Sequence, residues 1–186
     1  MNIIKSTMLG LAGLLTITGC ETTSSRPYAP STENVVTMKS KFSEATTVQV
    51  GTFTKDPSVS DDTTCRALGS IEVVPGKTPV EAIESALRDE LFLADAYDPS
   101  SSNVITGVVN KLDFNSIGTG SWNIGMLVSS TVLPQGYQVD ATYSFKTSYS
   151  AISACQNVVD AFTPAVQQLN NNVVNHPQFP ALIGAN

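Results

Sequence analysis

Along this chain apolar residues recur at two spacings, every second position and every third or fourth, and the places where each spacing holds define the elements. Residues 47–53 alternate and are β-branched, which predicts a first strand. Ile71, Val73 and Val74 add a short strand or a strand extension before Pro75 and Gly76 turn the chain. Three longer alternating runs follow. Residues 104–114 place Val104, Val108, Leu112 and Phe114 on one face. Trp122, Ile124, Met126 and Val128 alternate with Asn123, Gly125, Leu127 and Ser129, and Val139, Ala141, Tyr143 and Phe145 with Asp140, Thr142, Ser144 and Lys146. Turns at 118–120 and 134–136 separate the three. Such alternation means an antiparallel sheet with one buried and one wet face. Trp122 then belongs to the core beneath a helix, the other use for it being to stack a ligand.

The helical spacing holds twice. Thr78 can cap a helix, Pro79 suits its first position and Glu81 completes a capping box, so a helix starts here and runs to about residue 94 or 97. Val80, Ile83, Leu87, Leu91 and Ala94 form its apolar stripe. Glu81, Glu84, Arg88 and Asp89 fall off that stripe and form a solvated face, with acid–base chemistry as the alternative use. A second helix over residues 153–174 carries Cys155, Val158, Val159, Phe162, Val166, Leu169 and Val173, with Pro164 expected to kink or restart it. Pro177 and Pro180 rule out its continuation. The apolar residues of the tail, Phe179, Leu182 and Ile183, either pack back on the domain or form a docking peptide.

The order is β-α-β-β-β-α. Because the first crossover contains a helix, the first strand pairs in parallel with a later one, and the last three strands form a meander. The expected fold class is α+β, a two-layer sandwich with a mostly antiparallel sheet of about four strands and two helices on one face.

The amino end carries a different pattern. One positive charge, at Lys5, precedes an apolar run from Met8 to Ile17, which is too short to cross a bilayer. The run ends Ile17-Thr18-Gly19-Cys20, which matches a bacterial lipobox. A signal peptide over residues 1–19 is therefore expected to be removed and Cys20 to carry acyl chains, several of which make a firm anchor. The alternative is an ordinary secreted protein. Residues 20–46 are rich in Thr, Ser, Glu and Pro and poor in large apolar residues, which predicts a flexible lipidated tether ahead of one domain over 47–186. Glu21, where Asp would favour inner-membrane retention by analogy with enterobacterial sorting, points to the outer membrane; the periplasmic side is the expected location, the cell exterior the alternative.

Charge and cysteines narrow the chemistry. Ten basic residues face sixteen acidic ones, so the chain has no footprint for nucleic acid, and its membrane contact is expected through the lipid on Cys20. With Cys20 lipidated, Cys65 and Cys155 are left as an even pair in an oxidising compartment and are expected to form a disulfide, two buried free thiols being the alternative. Asp56, Asp61 and Asp62 share a loop, but their spacing lacks the glycine and terminal glutamate of a calcium loop, and no metal is expected. With one histidine, His176, held between Asn175 and Pro177, and no Gly-x-Ser-x-Gly, no catalytic residue and no cofactor is assigned.

The run over 86–91, the strand at Tyr143, Ser144 and Phe145, the pair Ala154-Cys155, and the run over 162–166 resemble small bacterial envelope lipoproteins of the YajG type. The element order is more distantly similar to the auxiliary lipoproteins of ABC-type transporters and to LptE. That resemblance implies a two-layer sheet with helices on one side and a non-catalytic accessory role beside another envelope protein. The alternative is a binding module for a lipid or small amphiphile between helices and sheet.

Overall fold

A computed structural model describes residues 23–42, 46–60 and 62–185. It is an α+β fold in which helices cover one face of a mixed sheet. The three long alternating runs become β3 (Val104–Asn115), β4 (Thr119–Ser130) and β5 (Tyr137–Lys146), an antiparallel meander with Phe114 opposite Trp122 and Trp122 opposite Tyr143. The first strand is two short pieces, β1 (Gln49–Val50) and β2 (Thr54–Lys55), both parallel to β3, at Val104 and Val108. Between them the chain swings Phe53 inward over the middle of β3. Gly107 lies beneath that ring: a Cβ there would stand 2.8 Å from Phe53 and 2.7 Å from Met126 Sδ, so only glycine leaves the ring its place.

The face assignment of β3 differs from the expectation in one half. Val109 pairs with Met126 and Lys111 with Gly125, which leaves Asn110 as an extra residue, a β-bulge. Beyond it Leu112 and Phe114 face the core as expected. Before it the parity is reversed: Ile105, Gly107 and Val109 face inward, while Val108 is turned outward opposite Leu127. Simple alternation carried across residue 110 therefore assigns Val104 and Val108 to the wrong face. In β4 and β5 every residue expected to face inward is buried or half-buried.

Helix α2 (Pro79–Leu93) starts as its capping box dictates. Thr78 Oγ1 accepts from the Glu81 amide at 3.2 Å, and the Glu81 carboxylate accepts from the Thr78 amide at 2.8 Å. Helix α3 (Ala151–Asn175) lies over β4 and β5 and runs through Pro164 as one helix, so of the expected kink or restart the restart does not occur. The chain then breaks at residues 176–178 and re-forms as α4 (Phe179–Ile183), with Pro180 in the first turn, where a missing N–H costs nothing. Phe179, Leu182 and Ile183 are buried, so the tail packs back and these side chains are not free to dock elsewhere.

The largest departure is at the amino side. Residues 24–31 run along α3 and lead into α1 (Thr32–Lys41), which packs on α2 and α3. The expectation of a flexible tether through residue 46 fails for 23–42, because polar side chains there meet partners that composition does not reveal. The domain thus includes residues well before 47.

Candidate functional site

The strap over 24–42 is held at a buried carboxylate. Glu90, on α2, is fully buried, and among the described residues no cation pairs with it; five hydrogen bonds satisfy it instead. Oε1 accepts from Tyr28 Oη at 2.7 Å, the Ser31 amide at 2.9 Å and Asn34 Nδ2 at 3.2 Å, and Oε2 from Asn34 Nδ2 at 3.1 Å and Asn170 Nδ2 at 3.0 Å. Burial pushes the Glu90 carboxyl above the usual carboxylate range, against the pull of these donors. Burial, with the Glu90 charge beside it, also drives the Tyr28 hydroxyl pKa far up, so Tyr28 stays a neutral donor. Next to this node Asn170 Oδ1 is buried with no hydrogen-bond partner among the described residues. Farther along the strap, Gln167 donates to the Ala29 carbonyl at 2.7 Å, Arg26 pairs with Asp160 at 2.8 Å, and Gln156 exchanges two hydrogen bonds with the Ser24 backbone.

A second feature is an apolar cleft of about 420 Å³ between β2, the start of α2 and the far halves of β3 and β4. Phe53, Val80, Leu112 and Phe114 line it and the nearly buried Trp122 contributes to its wall. Glu84 stands at its edge, accepting the Phe53 amide at 2.9 Å and the Arg88 guanidinium. The Glu84–Arg88 face expected to be simply solvated thus supplies the acceptor that satisfies the backbone where β1 gives way to β2. Trp122 is core, as expected: its indole N–H donates to the Val158 carbonyl at 2.8 Å, and its ring meets Phe114 and Phe162.

The third feature lies at the end of the sheet where β3 turns into β4. Cys65 and Cys155 form a disulfide, Cα–Cα 5.8 Å, and this settles the choice against two free thiols. Arg66, beside Cys65, has a φ of 52° and reaches across to two other loops. Its guanidinium donates to the carbonyls of Ser116, Ser148 (3.1 Å) and Tyr149 (3.3 Å) and to the Ser116 and Thr147 hydroxyls. Bridge and arginine together tie the β3–β4 turn, the β5–α3 loop and the 3-10 turn Arg66–Leu68 into one piece.

The remaining sequence candidates are accounted for locally. Asp56 and Asp62 each accept hydrogen bonds from a residue two places on, Ser58 and Thr64, and those bonds hold their carboxyls below the usual range. They are turn-forming residues, and Asp61 lies outside the described residues. Among the described residues no three His, Cys, Asp or Glu side chains gather in a way that would hold a metal ion. His176 stacks on Tyr137, centroids 3.9 Å apart, and its Nδ1 accepts from the Gln178 amide at 3.2 Å. Cys20 and the 1–19 segment lie outside the described residues. Sequence reasoning missed Glu90 and Arg66. Glu90 left one trace, a charge at i+3 from Leu87 and i+7 from Ile83, inside the apolar stripe. Arg66 left none.

Fold and sites together define a disulfide-bridged α+β domain wrapped by its own amino-terminal strap. No protein-family model matches the chain, and no curated protein matches it. Among solved structures it is similar to a DUF330 protein, XCC0632 from Xanthomonas campestris, at 10% identity and TM-score 0.47, over 69% of this chain and 84% of that one. It is also similar to an uncharacterized protein at 10% identity and TM-score 0.45, over 82% and 97%. A PelC dodecamer from Paraburkholderia phytofirmans is similar at 11% identity and TM-score 0.33, over 68% and 91%.

Proposed function

We propose that this chain is a bacterial envelope lipoprotein anchored by acyl chains on Cys20, facing the periplasm from the outer membrane, and acting as a non-catalytic accessory subunit that binds another envelope protein. One observation carries most of the reading. Ser24, four residues beyond the lipobox cysteine, is already bonded to Gln156, and the strap that follows is fixed at Glu90, so the domain is built onto the segment that would lead to the lipid. The disulfide fits an exported protein. Intact-mass measurement of the mature protein tests the anchor: a chain starting at Cys20 with a diacylglyceryl and an N-acyl adduct is the expected result, and an unmodified Cys20 would overturn it. Crosslinking in intact cells tests the role, the expected result being one recurrent protein partner linked to the domain.

The cleft favours a second reading, a module that binds a lipid or small amphiphile. Its walls are apolar and its rim, with Thr78, Lys55, Glu81 and Asp62, is polar, which suits a molecule with one apolar and one polar end. Native mass spectrometry of the protein released from membranes would show a co-purified lipid under this reading. Val80→Trp, which fills the cleft, would then expel it.

A further inference from the structure

The route of the strap fixes which end of the domain lies nearest Cys20. Residues 24, 26, 29 and 34 meet α3 at residues 156, 160, 167 and 171 in that order, so the strap runs parallel to α3 and its amino end lies at the helix start. Gln156 is five residues into α3, about 8 Å along its axis. Cys20 is four residues before Ser24, and four residues span at most about 14 Å in any conformation. Cys20 is therefore kept to the half of the domain where α3 begins, the half that also carries the disulfide and Arg66.

That end exposes large apolar side chains. Tyr149 is fully exposed, Ile117 at the β3–β4 turn is 70% exposed, and Leu68, two residues after Arg66, is 40% exposed. Ile117 and Tyr149 line a groove of about 560 Å³ with Arg66. The partners of Arg66 among the described residues are neutral oxygens, so it leaves a positive charge here on an otherwise acidic chain. Two loops and a 3-10 turn from separate parts of the sequence each place an apolar tip at the end nearest that lipid, while the exposed Phe92, Leu93 and Val132 lie toward the opposite end. A tyrosine, two aliphatic tips and a cation are what the boundary between acyl chains and phosphate headgroups takes up.

We propose that the end of the domain bearing Leu68, Ile117 and Tyr149 rests in the headgroup layer of the bilayer that holds the Cys20 lipid. This deepens the lipoprotein reading and rests on it. The domain then stands upright on the membrane with β4 along the normal, its opposite end at Val132 roughly 35–40 Å away, and is not held off on a loose leash.

The test uses full-length protein extracted from membranes and returned to vesicles of phosphatidylethanolamine and phosphatidylglycerol at about 3:1. Three variants, Ile117→Cys, Tyr149→Cys and Val132→Cys, each carry an environment-sensitive fluorophore; all three positions are exposed, so folding is unaffected. Vesicles containing a shallow doxyl lipid should quench the labels at 117 and 149 roughly twofold or more, and leave the label at 132 unchanged. Equal quenching at all three, or none, would overturn the proposal. Labels at 117 and 149 that are shielded from both doxyl lipid and aqueous iodide would mean that protein covers this end, and would overturn it too. Intact mass of the same samples separates the two readings: an adduct on Cys20 with unquenched labels defeats this orientation alone, whereas no adduct defeats the lipoprotein reading.

Discussion

Replacing Glu90 by alanine removes the acceptor shared by Tyr28, the Ser31 amide, Asn34 and Asn170. One N–H of Asn34 Nδ2 keeps the Gln167 carbonyl at 2.9 Å, so four groups bear the loss: the Tyr28 hydroxyl, the Ser31 amide, the second Asn34 N–H and an Asn170 N–H. A buried donor left bare costs about 1–3 kcal/mol, which over four groups would reach about 4–12 kcal/mol if the strap stayed in place. It need not stay. Tyr28 and Ser31 lie on the strap and regain water when it lifts, so the penalty is capped by the free energy of undocking. The expected cost is about 2–4 kcal/mol, a roughly 30- to 1000-fold gain in the open population. Hydrogen exchange reads it directly at the amides of Val35 and Phe42, which bond to the Ser31 and Met38 carbonyls. They should exchange faster in Glu90→Ala by that factor while amides in β4 keep their protection, and trypsin should gain access to Lys39 and Lys41. Wild-type exchange in α1, or equal acceleration in α1 and β4, would refute the reasoning that this carboxylate secures the strap in particular.

Other expectations follow from the same geometry. Because burial raises the Glu90 pKa, the docked strap binds a proton more tightly than the free chain, so docking weakens as pH climbs from about 4 through the raised value. Protection of α1, corrected for intrinsic exchange, should fall over that range and the trend should flatten in Glu90→Gln; protection rising with pH would contradict it. Removing the bridge as Cys65→Ala/Cys155→Ala opens a 90-residue separation and should cost about 4–5 kcal/mol in denaturant unfolding. Trp122→Ala should cost about 3–5 kcal/mol by the same assay, since the ring is buried between Phe114 and Phe162. Gly136 has a φ of 57°, and a Cβ there would lie 2.1 Å from the Val128 carbonyl oxygen, so Gly136→Ala should lose roughly 3 kcal/mol. Gly118→Ala, with similar φ but open space, should lose only about 1 kcal/mol.

The meander, the capped helix and the bridged cysteines were legible because each depends on local chemistry or on parity within one run. Trp122 could be assigned to the core for the same reason, its neighbours at 124, 126 and 128 repeating its phase. What escaped depends on pairs far apart. Asn110 is an ordinary strand residue until β4 is laid beside it, and only then does it become the extra one. The strap looked disordered because Tyr28, Ser31 and Asn34 are polar; their value lies in one carboxylate 56 to 62 residues away. Pro164 is a breaker by propensity, yet burial of Ala161, Phe162, Ala165 and Val166 on both sides of it keeps the helix whole.

The partners of the strap also order events in time. Its long-range polar contacts among the described residues fall on Glu72, Glu90, Asp95, Gln156, Asp160, Gln167, Asn170 and Asn171, directly or through the Glu90 node. During synthesis residues 24–42 thus have no complete surface to settle against until α3, the last long helix, has been made.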